Sequence, residues 1–133
     1  MEIAKPPTTV LIVEDEVIIR MSAAATLEDA GFCILEAGNS AEALQFLLKH
    51  QEIGVMMTDV RMPGEMDGLG LVDCVQRCHP AIRSLVVSGN ASARQARDAG
   101  AFSFLSKPYM AHSLVHAVRA MVQSNAVPFG QAS

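Results

Sequence analysis

Val55-Met56-Met57-Thr58-Asp59-Val60-Arg61-Met62-Pro63-Gly64 is a short apolar run that ends in a carboxylate and breaks at once into a turn. A run of this kind reads as a strand buried on both faces, as in a parallel sheet. The pattern recurs along the chain. Val10-Leu11-Ile12-Val13 ends in Glu14-Asp15-Glu16, residues 83–88 end in Ser88, and residues 102–106 run into Lys107-Pro108. Each run therefore delivers a polar group at its carboxyl end: acid, acid, hydroxyl, ammonium. In an open parallel sheet that edge is where ligands bind.

The segments between these runs read as helices. Residues 16–30 form one, closed by Gly31, a favoured residue just past a helix end. Phe32 to Glu36 is a second, shorter strand. Ser40 can cap a helix to His50, with Ala43, Leu44, Leu47 and Leu48 as its apolar stripe. After the loop Gly64-Glu65-Met66-Asp67-Gly68, a helix runs to Cys78 with Leu71, Val72 and Val75 inward and Cys78 continuing the stripe; His79-Pro80 stops it. Ala91 to Ala99 is a short, Ala-rich helix ended by Gly100, and Leu114, Val115, Val118, Met121 and Val122 mark the last helix. The order is (βα)5, an α/β chain with a doubly wound parallel sheet. Residues 1–7 are expected to be a leader, 8–124 the domain and 125–133 a flexible C-terminal tail.

Composition narrows the function classes. With 133 residues, half of them apolar, the chain can bury a core of its own. A net charge of −4 without a basic cluster argues against direct nucleic-acid binding. No apolar run approaches the roughly 20 residues a membrane span needs, so no membrane insertion is expected. Cys33, Cys74 and Cys78 have no disulfide-framework spacing, which together with the lack of a signal-peptide pattern reads as cytoplasmic.

The polar groups at the strand ends suit one chemistry. Mg²⁺ prefers one or two carboxylates and keeps several waters, so Asp15 and Asp59 could each supply an oxygen, with Glu14 reaching through water. A carboxylate can also be the nucleophile in phosphoryl transfer, giving an aspartyl phosphate. Lys107 would then serve as a point charge on phosphoryl oxygens, Ser88 as a hydrogen-bond donor, and Gly89 would leave room for the group.

Glu14-Asp15-Glu16, Asp59-Val60-Arg61-Met62-Pro63-Gly64, Val86-Val87-Ser88-Gly89 and Ser106-Lys107-Pro108, in this order, resemble the receiver domain of two-component response regulators over residues 9–124. The resemblance implies a flavodoxin-like sheet in order 2-1-3-4-5. It makes Asp59 the phosphoacceptor, Asp15 the main Mg²⁺ ligand, Glu14 the second acidic site and the Arg61 backbone carbonyl a third protein ligand. Ser88 matches the switch hydroxyl, Phe104 the switch aromatic, and Lys107 the family lysine, with a cis Lys107–Pro108 bond. Arg61 and Asn90 fall at positions that border the attacking water, and Arg61 is expected to slow loss of the phosphoryl group. Three departures stand out. Glu14 replaces the usual Asp, the Gly64–Gly68 loop is one residue longer, and the interval from Ser88 to Lys107 is short enough to cost the fourth helix nearly a turn.

The resemblance implies a stand-alone receiver that takes phosphate from a histidine kinase or phosphotransfer protein. It would act through contacts with an unidentified downstream protein; a homodimer stays open. The rivals are a phosphate-independent binding module, favoured by Glu14 and the short fourth helix, and a phosphohydrolase. The second lacks the acid/base Asp two residues after the nucleophile, where Arg61 stands. A flavin carrier is disfavoured by the acids after the first strand, which repel phosphate. Phe104 reads equally as core or as switch, while Cys74, Cys78 and His79, like His112 and His116, read as ordinary helix residues.

Overall fold

In the computed structural model, which describes residues 7–122, five parallel strands form one sheet in the order β2-β1-β3-β4-β5. The interior strands β1 (Thr9–Val13), β3 (Ile53–Asp59) and β4 (Arg83–Ser88) carry the continuous apolar runs, and β2 (Cys33–Ala37) and β5 (Ser103–Ser106) are the partly buried edges. The expected strand order is borne out. Residues 1–6 of the expected leader and the tail 125–133 lie outside the described residues.

Successive side chains of a strand point to opposite faces. Val10, Ile12, Val55, Met57, Leu85 and Val87 accordingly pack under α1 (Val17–Asp29) and α5 (Ala111–Val122), against Leu27, Leu114 and Val118. Leu11, Val13, Met56 and Val86 face α2 (Ser40–Lys49), α3 (Gly68–Cys78) and α4 (Ala93–Ala99), against Leu47, Leu71, Val75 and Ala96. Leu71, Val72 and Val75 are fully buried, which stabilises by about 1.5–3 kcal/mol each.

Helix ends follow local chemistry, with four corrections to the expected pattern. Asn39, not Ser40, caps α2: its side chain accepts from the Glu42 amide at 2.9 Å. Ser40 is already helical and buried, and its hydroxyl donates to the Met66 carbonyl at 2.9 Å, tying α2 to the loop after β3. Leu48 is 75% exposed, because α2 covers an edge of the sheet and its buried stripe is confined to Ser40, Ala43 and Leu47. Cys78 is exposed as the last residue of α3, one turn beyond the buried Val75. Val122, at the end of α5, is likewise 39% exposed. α4 is short, as the chain spacing predicts: Ser92 and Gln95 form a capping box at its start and Gly100, at φ 104°, ends it after seven residues.

Gly68 locks α3 onto the site strand. Its amide donates to the Val60 carbonyl at 2.8 Å, and a Cβ there would overlap the backbone carbonyl of Asp59. Gly68→Ala should therefore destabilise the chain by about 3 kcal/mol, the upper end for overpacking, read from a denaturant midpoint. A change below about 0.5 kcal/mol, typical of a neutral surface site, would contradict the interlock.

Candidate functional site

The carboxyl edge of the sheet gathers charge because β1 and β3 end side by side there and β5 ends at the same edge beyond β4. Glu14 and Asp15 leave β1, Asp59 is the last residue of β3, and Lys107 follows β5. Carboxylate oxygens of Glu14, Asp15 and Asp59 lie within 4.8 Å of one another. Lys107 sits between two of these acids, its Nζ donating to Asp59 Oδ2 at 2.8 Å and to Glu14 Oε1 at 3.0 Å. The other oxygens are also placed: Asp59 Oδ1 accepts from the Val60 amide at 2.6 Å and Glu14 Oε2 from the Glu16 amide at 3.1 Å.

Burial divides the acids. Glu14 is 4% exposed, Asp59 is partly buried, and Asp15 is exposed at the mouth. Desolvation raises the Glu14 pKa; the Glu16 amide and Lys107 oppose that shift and the charge of Asp59 adds to it. At Lys107 burial works downward, but the hydrogen bonds and charges of Asp59 and Glu14 outweigh it and the pKa rises. Three carboxylates against one ammonium leave a surplus of negative charge, and such a cluster is stabilised by a cation. Oxygens around an octahedral Mg²⁺ at about 2.0–2.1 Å stand on the order of 3–4 Å apart, so the donor set suits a hard divalent ion.

The remaining expected site residues occupy two settings. Ser88 is buried at the end of β4, opposite Ser106 in the β5 ladder, and its oxygen accepts from the amides of Asn90 at 3.1 Å and Ala91 at 2.9 Å. Bonding to neighbouring backbone is thus one thing this hydroxyl does, and among the described residues it donates no hydrogen bond. Phe104 pairs with Val86 and packs, half-buried, against the core on the α3 and α4 side. Arg61 and Asn90 are exposed on the loops after β3 and β4. The Lys107–Pro108 bond is cis.

Three participants escaped sequence reasoning. Arg20 of α1 donates from Nη1 to the Glu14 carbonyl at 2.8 Å and from Nε to Glu36 Oε1 at 3.1 Å. Tyr109 lines a recess of about 10 Å³ with Asp59, Lys107, Glu14 and Arg20; its phenol is pushed up by burial and by the two acids, against the pull of Lys107. That recess is at the threshold for one water and has no room for an organic cofactor. Gly68 is the third. Tyr109 carries a weak signal, as the sole tyrosine, two residues past Lys107; Arg20 carries none, because its partners come from the loop after β1 and from β2.

The pattern is shared with known proteins. The response regulator receiver domain family matches residues 10–119. The chain is 37% identical over 119 residues to the sensor kinase CckA of Brucella abortus, covering 86% of this chain and 12% of that protein. It is 36% identical over 122 residues to the transcriptional regulatory protein PdtaR of Mycobacterium tuberculosis, covering 90% of this chain and 58% of that protein. The chain thus spans less than two thirds of either relative. A response regulator receiver protein of known structure from Pseudomonas putida superposes with a TM-score of 0.80 at 30% identity, over 88% of this chain and 98% of that one. With five parallel strands in the order 2-1-3-4-5, an acidic cluster where β1 and β3 end, and a family match over most of its length, this chain belongs to the response regulator receiver domain family.

Proposed function

We propose that the chain accepts a phosphoryl group on Asp59 from a histidine kinase or phosphotransfer protein, in a Mg²⁺-dependent reaction, and signals through contacts with another protein. The observation that carries this reading is the Lys107 bridge between Glu14 and Asp59 inside a three-carboxylate cluster. An Asp59 carboxylate oxygen attacks phosphorus, the P–N bond of the phosphohistidine breaks, and its electron pair leaves with the imidazole, which takes up a proton. Asp15, Asp59 and the Arg61 carbonyl would hold Mg²⁺, with Glu14 beside them. Bound there, the ion neutralises charge on the phosphoryl oxygens and orients the group. Lys107 would move from the Asp59 carboxylate to a phosphoryl oxygen, and Ser88 would donate its free proton to another.

Ser88 and Phe104 lie on adjacent strands, and Phe104 packs toward α3 and α4. A hydroxyl drawn toward the phosphoryl group would therefore disturb that face, the route we assign to the output. Exposed Arg61 would shield the phosphoryl group and Asn90 would border its water; Arg61→Ala is expected to shorten its lifetime, read as dephosphorylation rate. An unchanged rate would remove Arg61 from this role.

The rim supports a protein donor. Val17, Ile18 and Met21, on the first turns of α1 just past the acids, are 52%, 78% and 55% exposed. Ile18→Asp should leave labelling by acetyl phosphate intact and slow transfer from a phosphohistidine protein about tenfold or more. Equal slowing with both donors would remove the rim from donor docking.

Intact mass after incubation with acetyl phosphate tests the chemistry. One phosphoryl adduct should form with Mg²⁺, be absent in Asp59→Asn, and form about 10²–10³-fold more slowly in Lys107→Ala, the usual cost of losing a charge-stabilising donor. An adduct in Asp59→Asn would refute the assignment. The absence of any adduct on the wild-type chain would favour the phosphate-independent module suggested by the short α4.

Proton linkage supplies a separate check. Because the folded-state pKa of Glu14 is raised above its ordinary 4.5, keeping it charged costs stability. That cost is absent below the ordinary value, grows as pH rises through it, and is complete above the raised value. Lys107 acts in the opposite sense: its stabilisation is present below the ordinary 10.5 and is lost as pH rises through the folded value. A cation displaces the Glu14 proton. The Mg²⁺-induced rise in Tm should accordingly be larger at about pH 8 than at about pH 5, and Glu14→Gln should flatten the difference. An equally steep dependence in Glu14→Gln would place the coupled proton elsewhere.

A further inference from the structure

We propose that Arg20 and Glu36 form a positioning clamp that sets the Mg²⁺ affinity of the acid cluster; this rests on the reading of that cluster as the cation site. The loop Glu14–Glu16 must present two carboxylates, yet Asp15 is exposed and its orientation follows the backbone that carries it. That backbone is held from two sides. The Glu14 amide donates to the Ala37 carbonyl of β2 at 3.0 Å, and the Glu14 carbonyl accepts from Arg20 Nη1 at 2.8 Å. Arg20 is in turn fixed through Nε to Glu36 Oε1 at 3.1 Å. Glu36 stands on β2 opposite Ile12 of β1, so the guanidinium ties the acid loop to the sheet.

The pairing also has an electrostatic consequence. A lone guanidinium beside the cluster would repel a divalent cation, whereas Arg20 matched by Glu36 supplies a donor at no net charge. The Arg20 side chain is 19% exposed, which limits its alternatives. Mg²⁺ demands near-ideal octahedral geometry, so a shift of the loop carries over into affinity. Groups that orient metal ligands from behind typically change affinity about 10–100-fold when removed.

Position and charge predict different signs. If Arg20 acted by charge alone, Arg20→Gln would tighten Mg²⁺, Glu36→Gln would weaken it, and the double variant would return to wild type. A clamp predicts weaker binding in both single variants and in the double variant, each by about tenfold, because any of the three changes breaks the tie. Mg²⁺ titration of the full chain by calorimetry reads this directly, and Tyr109, the sole tyrosine in a chain without tryptophan, offers a fluorescence readout at the site. Tm in chelator identifies any variant that fails to fold, in which case Arg20→Lys, which keeps the charge and loses the two-pronged geometry, takes its place with the same expected loss. A double variant within about twofold of wild type would overturn the clamp, since outer groups that orient ligands cost more than that. If the wild-type chain bound no Mg²⁺, or Asp59→Asn bound it equally well, the cation-site reading itself would fall, and the clamp with it.

Discussion

An ammonium held between two carboxylates organises this molecule. Lys107 Nζ lies 2.8 Å from Asp59 and 3.0 Å from Glu14, joining the ends of three strands. Like charges brought to one edge repel, and removing charge from water costs several kcal/mol per ion. A buried ion pair is weak evidence of stability for that reason. Its value here is positional. If the proposed function holds, the attacking oxygen, the counter-charge and the cation donors stand in place before any substrate arrives, as preorganised electrostatic catalysis requires.

The fold makes that arrangement affordable by separating support from chemistry. Alternating strand residues feed two apolar layers, one under α1 and α5 and one under α2, α3 and α4. The last residues of the same strands are left over for the edge. Gly68 lets α3 press against the backbone of Asp59, and Ser40 ties the intervening loop to α2. The neighbourhood of Asp59 is thus built in part from close backbone contacts. Ser88 and Phe104 sit where that rigid edge meets the shortest helix, α4.

Much of this was legible before any coordinates. The strands announced themselves as apolar runs punctuated by acids, hydroxyl and lysine, because burial on both faces leaves no alternation to misread. Asp15, Asp59, Ser88 and Lys107 stood out because their chemistry is strange at the end of an apolar run. The Ser88–Lys107 interval, short for the family the chain resembles, foretold a short α4. Other features were hidden for physical reasons. Asn39 and Ser40 are both good caps, and the choice between them fell to Met66, distant in sequence, which takes the serine hydroxyl. Leu48 and Cys78 obey helical periodicity and yet are exposed, because the surface they would cover ends at the sheet edge or the helix end. Arg20 acts through a carbonyl in the loop after β1 and a carboxylate on β2, a relation that no local pattern encodes. Glu14 was expected to reach a cation through water; burial and Lys107 give it a second task as counter-ion.

The central claim is that Asp59, with a cation beside it, is built to hold a tetrahedral phosphoryl group. Beryllofluoride mimics that group without undergoing turnover, so its binding, followed by fluorine NMR, separates the capacity to hold phosphate from the rate of losing it. The account predicts one bound signal that requires Mg²⁺ and disappears in Asp59→Asn. No bound signal at saturating Mg²⁺, or a signal that survives in Asp59→Asn, would contradict it.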